Sequence, residues 1–576
     1  MTFPELSTYL DRLESTRSRT ELVKTLAELY AKASPEEIQP LTYLIQGRLV
    51  PFFEPVEIGL GEKLVMAAIG HSFSTPIEEV AKLFGQVGDL GQVAATLSPE
   101  GSRPELPITQ VHARLTEIAG ASGAGSVEKK RSLFSALLKD VDAASAKHLV
   151  RIALGRLRLG IGDPTVLDAL SFARNGDRSL RPVLEGAYNR VSDLGLIAKT
   201  FSSGEEAVKA LQVTVGRPIR SQLAERLPNP EAVIKKLGLV AVQPKYDGLR
   251  VQIHKNGSEI RVFSRNLEDY TLMFSELTSA AKALKDETLI LDGEAIAYSK
   301  ELEEYLPFHL TASRRRQHGI EQAAAELPLV AFIFDALYRN GRDLTELPYE
   351  ERLAIANEVI AGSPVLLPAP ILKTDSVEVL TTTLLDAISQ GLEGVVVKRP
   401  DSRYQAGARN FNWVKLKRHT SGELSDTVDL VLLGYYFGKG KRAEFGVGAL
   451  LGGVYDSEKD LFATITKLGT GLSDAEWRQL HERADKLQVA ERPARVESIL
   501  VPDVWLEPEV VVEVMADEIT PSPRHTAGMV GNDPGFALRF PRIVSFRGAD
   551  KRPEDATTVK EIAELYRQQR VRKQPA

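Results

Sequence analysis

The residues of this sequence best suited to covalent chemistry lie in the segment Lys245-Tyr246-Asp247-Gly248-Leu249-Arg250. The segment follows the apolar run GLVAVQP, which places the lysine at the end of a predicted strand and before a glycine turn. An amine attacks phosphorus only when it is neutral, so a lysine in this role needs partial burial or a neighbouring cation such as Arg250 or a metal ion. A surface lysine in a turn is the other interpretation, and six residues do not decide between the two.

Five further motifs with cationic, acidic or aromatic side chains follow in order along the chain. They are Ser264-Arg265-Asn266, Asp292-Gly293-Glu294, Phe334-Asp335, the segment from Glu393 to Lys398, and the segment from Trp413 to Lys417. Alternation in the last segment puts Lys415 and Lys417 on one face of a strand. Together the motifs offer two carboxylates for a hard cation, an aromatic platform and several cations for phosphate. Each motif alone also fits a turn, a core residue or a solvent face, but their order favours one shared site.

The length and composition indicate a multidomain globular protein. A chain of 576 residues predicts three or four domains at roughly 150 residues each. The composition of 43% hydrophobic and 26% charged residues excludes a collagen-like or disordered chain. The chain contains no cysteine, which excludes disulfides, a thiol nucleophile, iron–sulfur clusters and zinc sites with sulfur ligands.

The sequence predicts a cytoplasmic protein that does not enter a membrane. No run approaches the ~18 apolar residues of a membrane helix. The first residues, MTFPELSTYLDRLE, lack a basic segment followed by an apolar core, so we expect no signal peptide.

Charge is distributed unevenly, although the net charge is only −6. Residues 1–120 carry 10 basic and 16 acidic side chains, whereas residues 121–220 carry 16 basic and 10 acidic ones. The window 398–418 holds seven basic side chains and one aspartate, interleaved with aromatic residues and a glycine. A local basic patch can neutralise phosphates on an acidic chain, because binding depends on local potential. For residues 121–220, a solvated surface and a nucleic-acid-binding surface are equally good interpretations. For residues 398–418, the interleaved aromatic residues favour a phosphate-binding function.

The elements that must position these residues change in type along the chain. Residues 1–215 read as helical, with apolar residues at helical spacing in LVKTLAELYAKA and helix starts at Ser34-Pro35-Glu36-Glu37 and Thr75-Pro76-Ile77-Glu78. A glycine-rich break in HLVRIALGRLRLGIGDPTVLDAL separates two helices, the second starting near Asp163, and brings Arg151, Arg156 and Arg158 near one turn. An all-helical scaffold without a ligand is the alternative for this region.

From residue 220 onwards the apolar period changes to two. The run VQIHKNGSEIRVFS predicts a hairpin at Asn256-Gly257, and helical patterns separate the later strands, so 220–420 is predicted to be an α+β domain. From about 421 to 576, short strands with glycine-rich turns, a helix around 474–490 and a C-terminal helical tail predict a small β-barrel.

The ordered motifs resemble those of a known family. KYDGLR, SRNLED, LDGEAI, FIFDALYRNGRDL, EGVVVK and WVKLK look like the successive motifs of covalent nucleotidyltransferases, and above all of archaeal-type and related bacterial ATP-dependent DNA ligases. VRIALGRLRLGIGDPTVLDAL resembles that family's N-terminal DNA-binding domain, while KLGTGLSD, WLEPEVVVEVMADEITPSPRHTA and ALRFPRIVSFRGADKRPEDATT resemble its C-terminal OB-fold domain. The resemblance implies an all-α DNA-binding domain at 1–215, an α+β, ATP-grasp-like nucleotidyltransferase domain at 220–420 and a β-barrel OB-fold domain at 421–576.

The resemblance also implies a role for each site residue. Lys245 would carry AMP, and Glu294 and Glu393 would bind the metal ion. Glu294 would alternatively contact the nucleotide. The nucleotide-binding residues would be Gln243, Arg250, Arg265, Glu294, Phe334, Arg409, Lys415 and Lys417, with Phe334 stacked on adenine. Gln243 stands where the family commonly has Glu. Its amide still offers an acceptor carbonyl for the adenine amino group, and it adds a donor, so the base selectivity of this chain can differ from that of the family. Arg547, Asp550 and Lys551 match the motif that orients pyrophosphate.

The implied function is an ATP-dependent DNA ligase that seals nicks in duplex DNA during replication, repair or recombination, with ATP as AMP donor and Mg²⁺ as cofactor. A monomer is expected, and the sequence identifies no sliding clamp or other protein partner. The helical first region speaks against an RNA ligase or a GTP-using capping enzyme, and the missing four-cysteine zinc module against a NAD-dependent DNA ligase. A scaffold with a degenerate catalytic core is a third alternative, which the ordered set Lys245, Glu294, Glu393 and Lys415 disfavours.

Overall fold

The computed structural model divides into two compact units, Met1–Gln212 and Val213–Ala576. It describes residues 1–299, 304–305, 311, 313–315, 319–389, 392–417, 427–437, 446–469, 472, 474–531, 533–547 and 551–573. Arg418 and Asp550, which belong to two of the predicted basic motifs, lie outside the described residues. Within the described part of the chain, no helix is long and apolar enough to cross a membrane.

The first unit is built from helices around one apolar core, as the helical spacing predicts. Its helices are α1 (Phe3–Glu14), α2 (Arg19–Lys32), α3 (Pro35–Leu44), α4 (Glu62–Phe73), α5 (Ile77–Val87), α6 (Leu90–Leu97), α7 (Ile108–Gly120), α8 (Ser126–Lys139), α9 (Ala143–Ala153), α10 (Asp163–Asn175), α11 (Arg181–Val191), α12 (Leu194–Ser202) and α13 (Glu205–Lys209).

Two of the three predicted helix starts have the expected form. α3 begins at Pro35, and the Ser34 backbone N–H donates to the Glu37 carboxylate at 2.9 Å. α10 begins at Asp163 with proline next, where its missing N–H costs nothing. The third start differs, because α5 begins at Ile77 with Pro76 as the residue before it. The Thr75 hydroxyl donates to the Phe73 carbonyl at 3.3 Å instead of capping the helix.

The three arginines expected near one turn have different environments. Arg151 is 5% exposed and pairs with Glu14 at 2.8 Å and Asp89 at 2.5 Å, so it ties α9 to α1 and to the start of α6. Arg156 and Arg158 are exposed. The charge of Arg151 is therefore already neutralised inside the unit, whereas Arg156 pairs with Glu62 at 2.6 Å on the exposed surface.

Among its described residues, the second unit contains seven further α-helices and the strands named below. The helices are α14 (Pro230–Leu237), α15 (Ser275–Lys282), α16 (Ile320–Glu326), α17 (Tyr349–Val359), α18 (Val377–Ser389), α19 (Asp474–Asp485) and α20 (Val559–Lys573). The strands are β1 (Leu223–Arg226), β2 (Val240–Lys245), β3 (Leu249–Asn256), β4 (Glu259–Ser264), β5 (Thr288–Ser299), β6 (Glu304–Tyr305), β7 (Leu329–Arg339), β8 (Arg342–Asp343), β9 (Leu366–Pro368), β10 (Leu372–Thr374), β11 (Gly394–Lys398), β12 (Arg409–Lys417), β13 (Val428–Phe437), β14 (Val447–Asp456), β15 (Leu461–Leu468), β16 (Gln488–Val489), β17 (Val496–Glu497), β18 (Val504–Leu506), β19 (Val511–Met515), β20 (Glu518–Ser522), β21 (Gly535–Arg539) and β22 (Arg542–Phe546).

Residues 223–417 form two sheets with helices, as the mixed pattern predicts. One sheet has the strand order β1-β12-β11-β2-β10, and the other has the order β4-β3-β5-β7-β8 with β6 and β9 attached. The predicted hairpin is confirmed: β3 and β4 pair antiparallel from Val251 opposite Ser264 to Asn256 opposite Glu259. Gly257 in the turn has φ 59°, which a residue with a side chain rarely adopts.

Residues 428–546 form a β-rich C-terminal region. Its main sheet has the order β16-β18-β13-β14-β15-β17, with β19 paired to β13 and to β22. β20 and β21 form a separate antiparallel pair. The helical insert predicted around 474–490 is α19, and the predicted helical tail is α20.

The first residues of the second unit are fastened to β3 by polar contacts. The buried His254 ring accepts a hydrogen bond from the Gly216 N–H at 2.9 Å, and the Gln252 amide makes two bonds to the Ile219 backbone at 2.8 and 3.1 Å. Burial lowers the pKa of His254 to about 3, which keeps the ring neutral and able to accept. The next residue on this side of β3 is Arg250, so the same strand carries a candidate site residue.

Candidate active site

A pocket in the second unit collects the side chains that the sequence motifs single out. It is lined by β2, β3, β5, β7, β11 and β12, and by Thr427, Asp429, Arg547 and Lys551 from the C-terminal part of the chain. All ten residues proposed from the sequence line it: Gln243, Lys245, Arg250, Arg265, Glu294, Phe334, Glu393, Arg409, Lys415 and Lys417. Their shared location is a finding, whereas their individual roles stay predictions.

One face of the β2–β11–β12 sheet forms the floor of the pocket. Register pairs Lys245 with Gly394 and Gly394 with Lys417, so these three residues lie side by side across the sheet. The next pocket-facing row is Gln243, Val396 and Lys415, and Lys398 and Trp413 begin the third row. Alternate residues point the other way and bury an apolar core of Val240, Val242, Val395, Val397, Val414 and Leu416.

Beside Lys245, two positions must be glycine because another backbone segment passes too close for a side chain. A Cβ at Gly248 would collide with the Ala295 carbonyl oxygen, and one at Gly394 would collide with the Leu416 carbonyl oxygen. Gly394 also has φ 141°, a conformation that other residues rarely adopt. After the lysine, Tyr246 stacks on Phe332, with ring centroids 4.0 Å apart. These contacts fix the backbone on both sides of Lys245.

The Lys245 end of the floor holds alternating positive and negative charges. The Lys245 ammonium forms an ion pair with the Glu393 carboxylate, whose oxygen also lies 3.3 Å from Lys417 Nζ. Although burial opposes ionisation, the two lysines hold the pKa of Glu393 well below its usual range. Burial and the nearby Glu393 raise the pKa of Asp247 to about 6. Burial also raises the pKa of Glu294 to about 7, against the opposing effect of Lys245 and Arg250.

Two arginines of the pocket are already engaged by carboxylates. Arg250 binds Asp292 with two hydrogen bonds of 3.0 and 2.6 Å and donates to the Gln222 carbonyl at 2.9 Å. Arg409 pairs with Glu561 of α20, a residue that is 8% exposed.

Arg265 and the C-terminal cations complete the charged lining of the pocket. Burial lowers the pKa of Arg265, partly offset by the field of Asp555. Asp429 pairs with Arg547 at 2.9 Å and with Lys551, which brings both predicted pyrophosphate-motif cations to the pocket.

The far end of the floor is aromatic. The Phe334 and Trp413 rings meet edge to face with centroids 5.9 Å apart. Lys398 is 2% exposed, and its Nζ lies 4.3 Å from the Phe334 ring, 4.1 Å from Trp413 and 4.5 Å from Tyr349. This end suits a flat base, while the Lys245 end suits phosphate.

Comparison with known proteins agrees with the resemblance found in the sequence motifs, from the N-terminal to the C-terminal region. Family models match in order: DNA ligase N terminus at residues 2–171, ATP dependent DNA ligase domain at 221–417, and ATP dependent DNA ligase C terminal region at 443–551. Over 576 residues the chain is 46% identical to a probable DNA ligase of Dictyoglomus turgidum, across 100% of this chain and 99% of that protein. The chain belongs to the ATP-dependent DNA ligase family.

More distant relatives of the ligase also align over nearly their full length. The DNA ligase of Caldivirga maquilingensis is 41% identical over 592 residues, across 99% of this chain and 98% of that protein. The solved structure of mycobacterial DNA ligase D complexed with ATP and MES shares 24% identity over 59% of this chain and 97% of that chain, with a TM-score of 0.36.

Three residues that contact the predicted site residues were given no role of their own from the sequence. Asp292 holds Arg250, Lys398 lies among the three rings, and Glu561 pairs with Arg409. The first two lie inside motifs that were recognised, so alternation along β5 and β11 could have pointed to them. Glu561 lies on the tail helix, and nothing in the sequence near it indicates a contact with Arg409.

The first prediction concerns Asp292. The variant Asp292→Asn keeps the size of the side chain but removes the charge that orients the Arg250 fork. Breaking a buried pair on one side costs about 3–5 kcal/mol, so we expect ATP affinity to fall at least about tenfold. Isothermal titration of folded protein measures this.

The matched control is Asp401→Asn, which removes the partner of Arg399 from an ion pair whose side chains are 45% and 69% exposed. Exposed pairs contribute little, so ATP affinity should not change in this control. Equal ATP affinity in Asp292→Asn and the wild type would show that Asp292 does not position Arg250 for the nucleotide.

Proposed function

We propose that this chain seals nicks in duplex DNA, using ATP and a covalent AMP linked to Lys245. The observation that carries the proposal is the floor of the pocket, which places a lysine amine at its phosphate-binding end and an aromatic group two rows away. Membership of the ATP-dependent DNA ligase family agrees with this use, because nick sealing through an adenylate is the known activity of that family.

The first step forms a bond between Lys245 Nζ and the α-phosphorus of ATP, and pyrophosphate leaves. Lys245 must first lose a proton, because only the neutral amine attacks phosphorus. Lys415, Lys417 and Arg409 would neutralise the triphosphate. In the second step AMP passes from Lys245 to the 5′-phosphate at the nick. In the third, the adjacent 3′-hydroxyl attacks that phosphorus and AMP leaves.

Carboxylates of the pocket fit a divalent cation. Asp247 and Glu294 are half-buried with raised pKa values, and Asp247 lies beside the ionised Glu393, so the group carries a repulsion that a cation would relieve. Oxygen ligands of this kind are the ones that Mg²⁺ prefers. Glu294 and Glu393 would hold the ion, which stabilises charge on the phosphate oxygens when bound.

The base would lie at the aromatic end, with Phe334 as its stacking platform and Gln243 at its edge. Arg250 and Arg265 would contact ribose and the α-phosphate. Edge-to-face packing against Trp413 fixes the Phe334 ring, which supports the role of a preformed platform.

The C-terminal residues support a conformational change during the cycle. Arg547 and Lys551, which would orient pyrophosphate, are paired with Asp429, and Arg409 is paired with Glu561. Phosphates must replace these carboxylates when they bind. We assign the β-rich region to an OB-fold barrel, with proposed domains at 1–215, 220–420 and 421–576.

The helical first unit is proposed to bind the duplex through its phosphates, without reading sequence. Its exposed Arg156 and Arg158 lie at the glycine-rich break between α9 and α10, inside the basic stretch 121–220. We also propose that the protein is a monomer and acts on nicked DNA in the cytoplasm.

The second prediction tests the covalent intermediate. Incubation of the full chain with ATP and Mg²⁺ should add one AMP to Lys245, because this amine lies beside the cations that we propose to bind the triphosphate. Peptide mass mapping locates the adduct, and Lys245→Ala should lack it.

The control for this experiment is Lys373→Ala, which removes an exposed lysine paired with Glu350. It should adenylate like the wild type. An adduct on another residue, or an undiminished adduct in Lys245→Ala, would contradict the mechanism.

The third prediction concerns DNA binding. The double variant Arg156→Ala/Arg158→Ala should label Lys245 normally but seal nicks less efficiently. Each lost phosphate contact also reduces the slope of log affinity against log salt by about 1. Gel-shift titration on a nicked duplex at several salt concentrations measures the slope.

The matched control for DNA binding is Arg12→Ala/Lys24→Ala, which removes the same charge from exposed positions in the acidic half of the unit. It should leave the slope unchanged. The same slope in the Arg156→Ala/Arg158→Ala variant and the wild type would refute the assigned surface.

A further inference from the structure

Gln243 is a buried side chain of the pocket whose hydrogen-bonding capacity is incomplete. It is 3% exposed and lies on the pocket-facing side of β2, and its Nε2 has no hydrogen-bond partner. The Tyr349 hydroxyl interacts with the amide group, but Nε2 is outside hydrogen-bond geometry. An unpaired buried donor costs about 1–3 kcal/mol, so a bound ligand that offers an acceptor would recover this free energy.

The position of Gln243 specifies which part of a nucleotide it meets. It is two residues from Lys245 on the same strand, a distance of about 7 Å, and lies opposite Val396. The next row is the aromatic end with Trp413. With the α-phosphate at Lys245, the Gln243 amide therefore faces the base and not the phosphates.

An amide can pair with two kinds of purine edge. Its oxygen accepts and its nitrogen donates, whereas a carboxylate at the same position only accepts. The 6-aminopurine adenine offers a donor at N6 and an acceptor at N1. A 6-oxopurine offers an acceptor at O6 and a donor at N1, and a half-turn of the Gln243 amide matches it equally well.

A second donor at this end of the pocket also suits an oxygen. Lys398 Nζ donates to the Tyr349 hydroxyl at 3.2 Å, and that hydroxyl interacts with Gln243. Burial lowers the pKa of Lys398 to about 7, but its amino group carries at least two N–H donors in either protonation state and so suits a ligand oxygen nearby. The polar atoms next to the base are therefore rich in donors.

We propose that Gln243 reads the base with both amide atoms, so that 6-oxopurine triphosphates, such as inosine and guanosine triphosphate, serve as nucleotidyl donors beside ATP. The inference rests on the proposed function and specifies the substrate class of the same site. The bond between Lys245 Nζ and the α-phosphorus forms as before, pyrophosphate leaves, and the amine proton is released. The product is a lysyl-linked 6-oxopurine nucleotide in place of lysyl-AMP.

The test uses inosine triphosphate, because it differs from ATP only at position 6 and in the proton on N1. The full chain is incubated with Mg²⁺ and α-labelled ATP or inosine triphosphate, and kcat/KM for labelling of Lys245 is measured. The wild type should use inosine triphosphate within about tenfold of ATP, since both bases satisfy the amide. In Gln243→Glu, inosine triphosphate use should fall about 100-fold and ATP use less than about fivefold, because the carboxylate has no donor for O6.

The control is Gln110→Glu, which makes the same change at an exposed position on α7. It should keep the wild-type ratio. A second variant, Gln243→Met, has a similar length without polar atoms, and labelling from both nucleotides should fall about tenfold or more.

Three outcomes are decisive. A wild type that labels from ATP but not from inosine triphosphate overturns this inference alone. A Gln243→Glu variant with the wild-type ratio, or a Gln243→Met variant with wild-type rates, does so as well. A wild type that labels from neither nucleotide defeats the proposed function itself.

Discussion

Strand alternation is the constraint on which the pocket depends. Every second residue of β2, β11 and β12 points to the nucleotide side, and the residues between them build the apolar core against α14 and α18. A register slip of one residue would bury Lys245 and Lys415 in that core and expose Val242 and Val414. The valines therefore fix the register that holds Lys245 on the pocket side of the sheet.

Charge pairing is the second organising feature. The pocket concentrates cations, and Asp292, Glu393, Asp429 and Glu561 neutralise them in the structure. In the proposed function, phosphates take the place of Asp429 and Glu561 by an exchange of oxygen partners around preplaced cations, which requires little reorganisation of the cationic side chains. Because Asp429 and Glu561 come from the C-terminal part of the chain, this exchange links occupancy of the pocket to the position of that part.

Local patterns predicted much of this architecture. Alternation around Asn256-Gly257 and in the segment from Trp413 to Lys417 predicted the β3–β4 hairpin and strand β12, and the Ser34-Pro35 pattern predicted the start of α3. The motif set also brought the ten proposed residues to one pocket, although it left their roles to be tested.

What could not be predicted depends on contacts that are distant in sequence. Arg151 resembles its neighbours Arg156 and Arg158 in the sequence, but only the fold brings Glu14 and Asp89 to it. Glu561 likewise meets Arg409 across 152 residues. Spacing within a segment does not reveal which distant carboxylate neutralises a cation, so the pairings had to come from the structure.

The central claim is that one sheet face separates a phosphate-binding end from a base-binding end. Sealing by Phe334→Ala, with ATP and with a pre-adenylated nick, tests it most directly, because the second substrate bypasses capture of ATP. Phe411→Ala, whose ring packs against Lys236, is the matched control. We predict a loss of about tenfold or more with ATP and a clearly smaller loss on the pre-adenylated nick. An equal loss on both substrates would contradict the account.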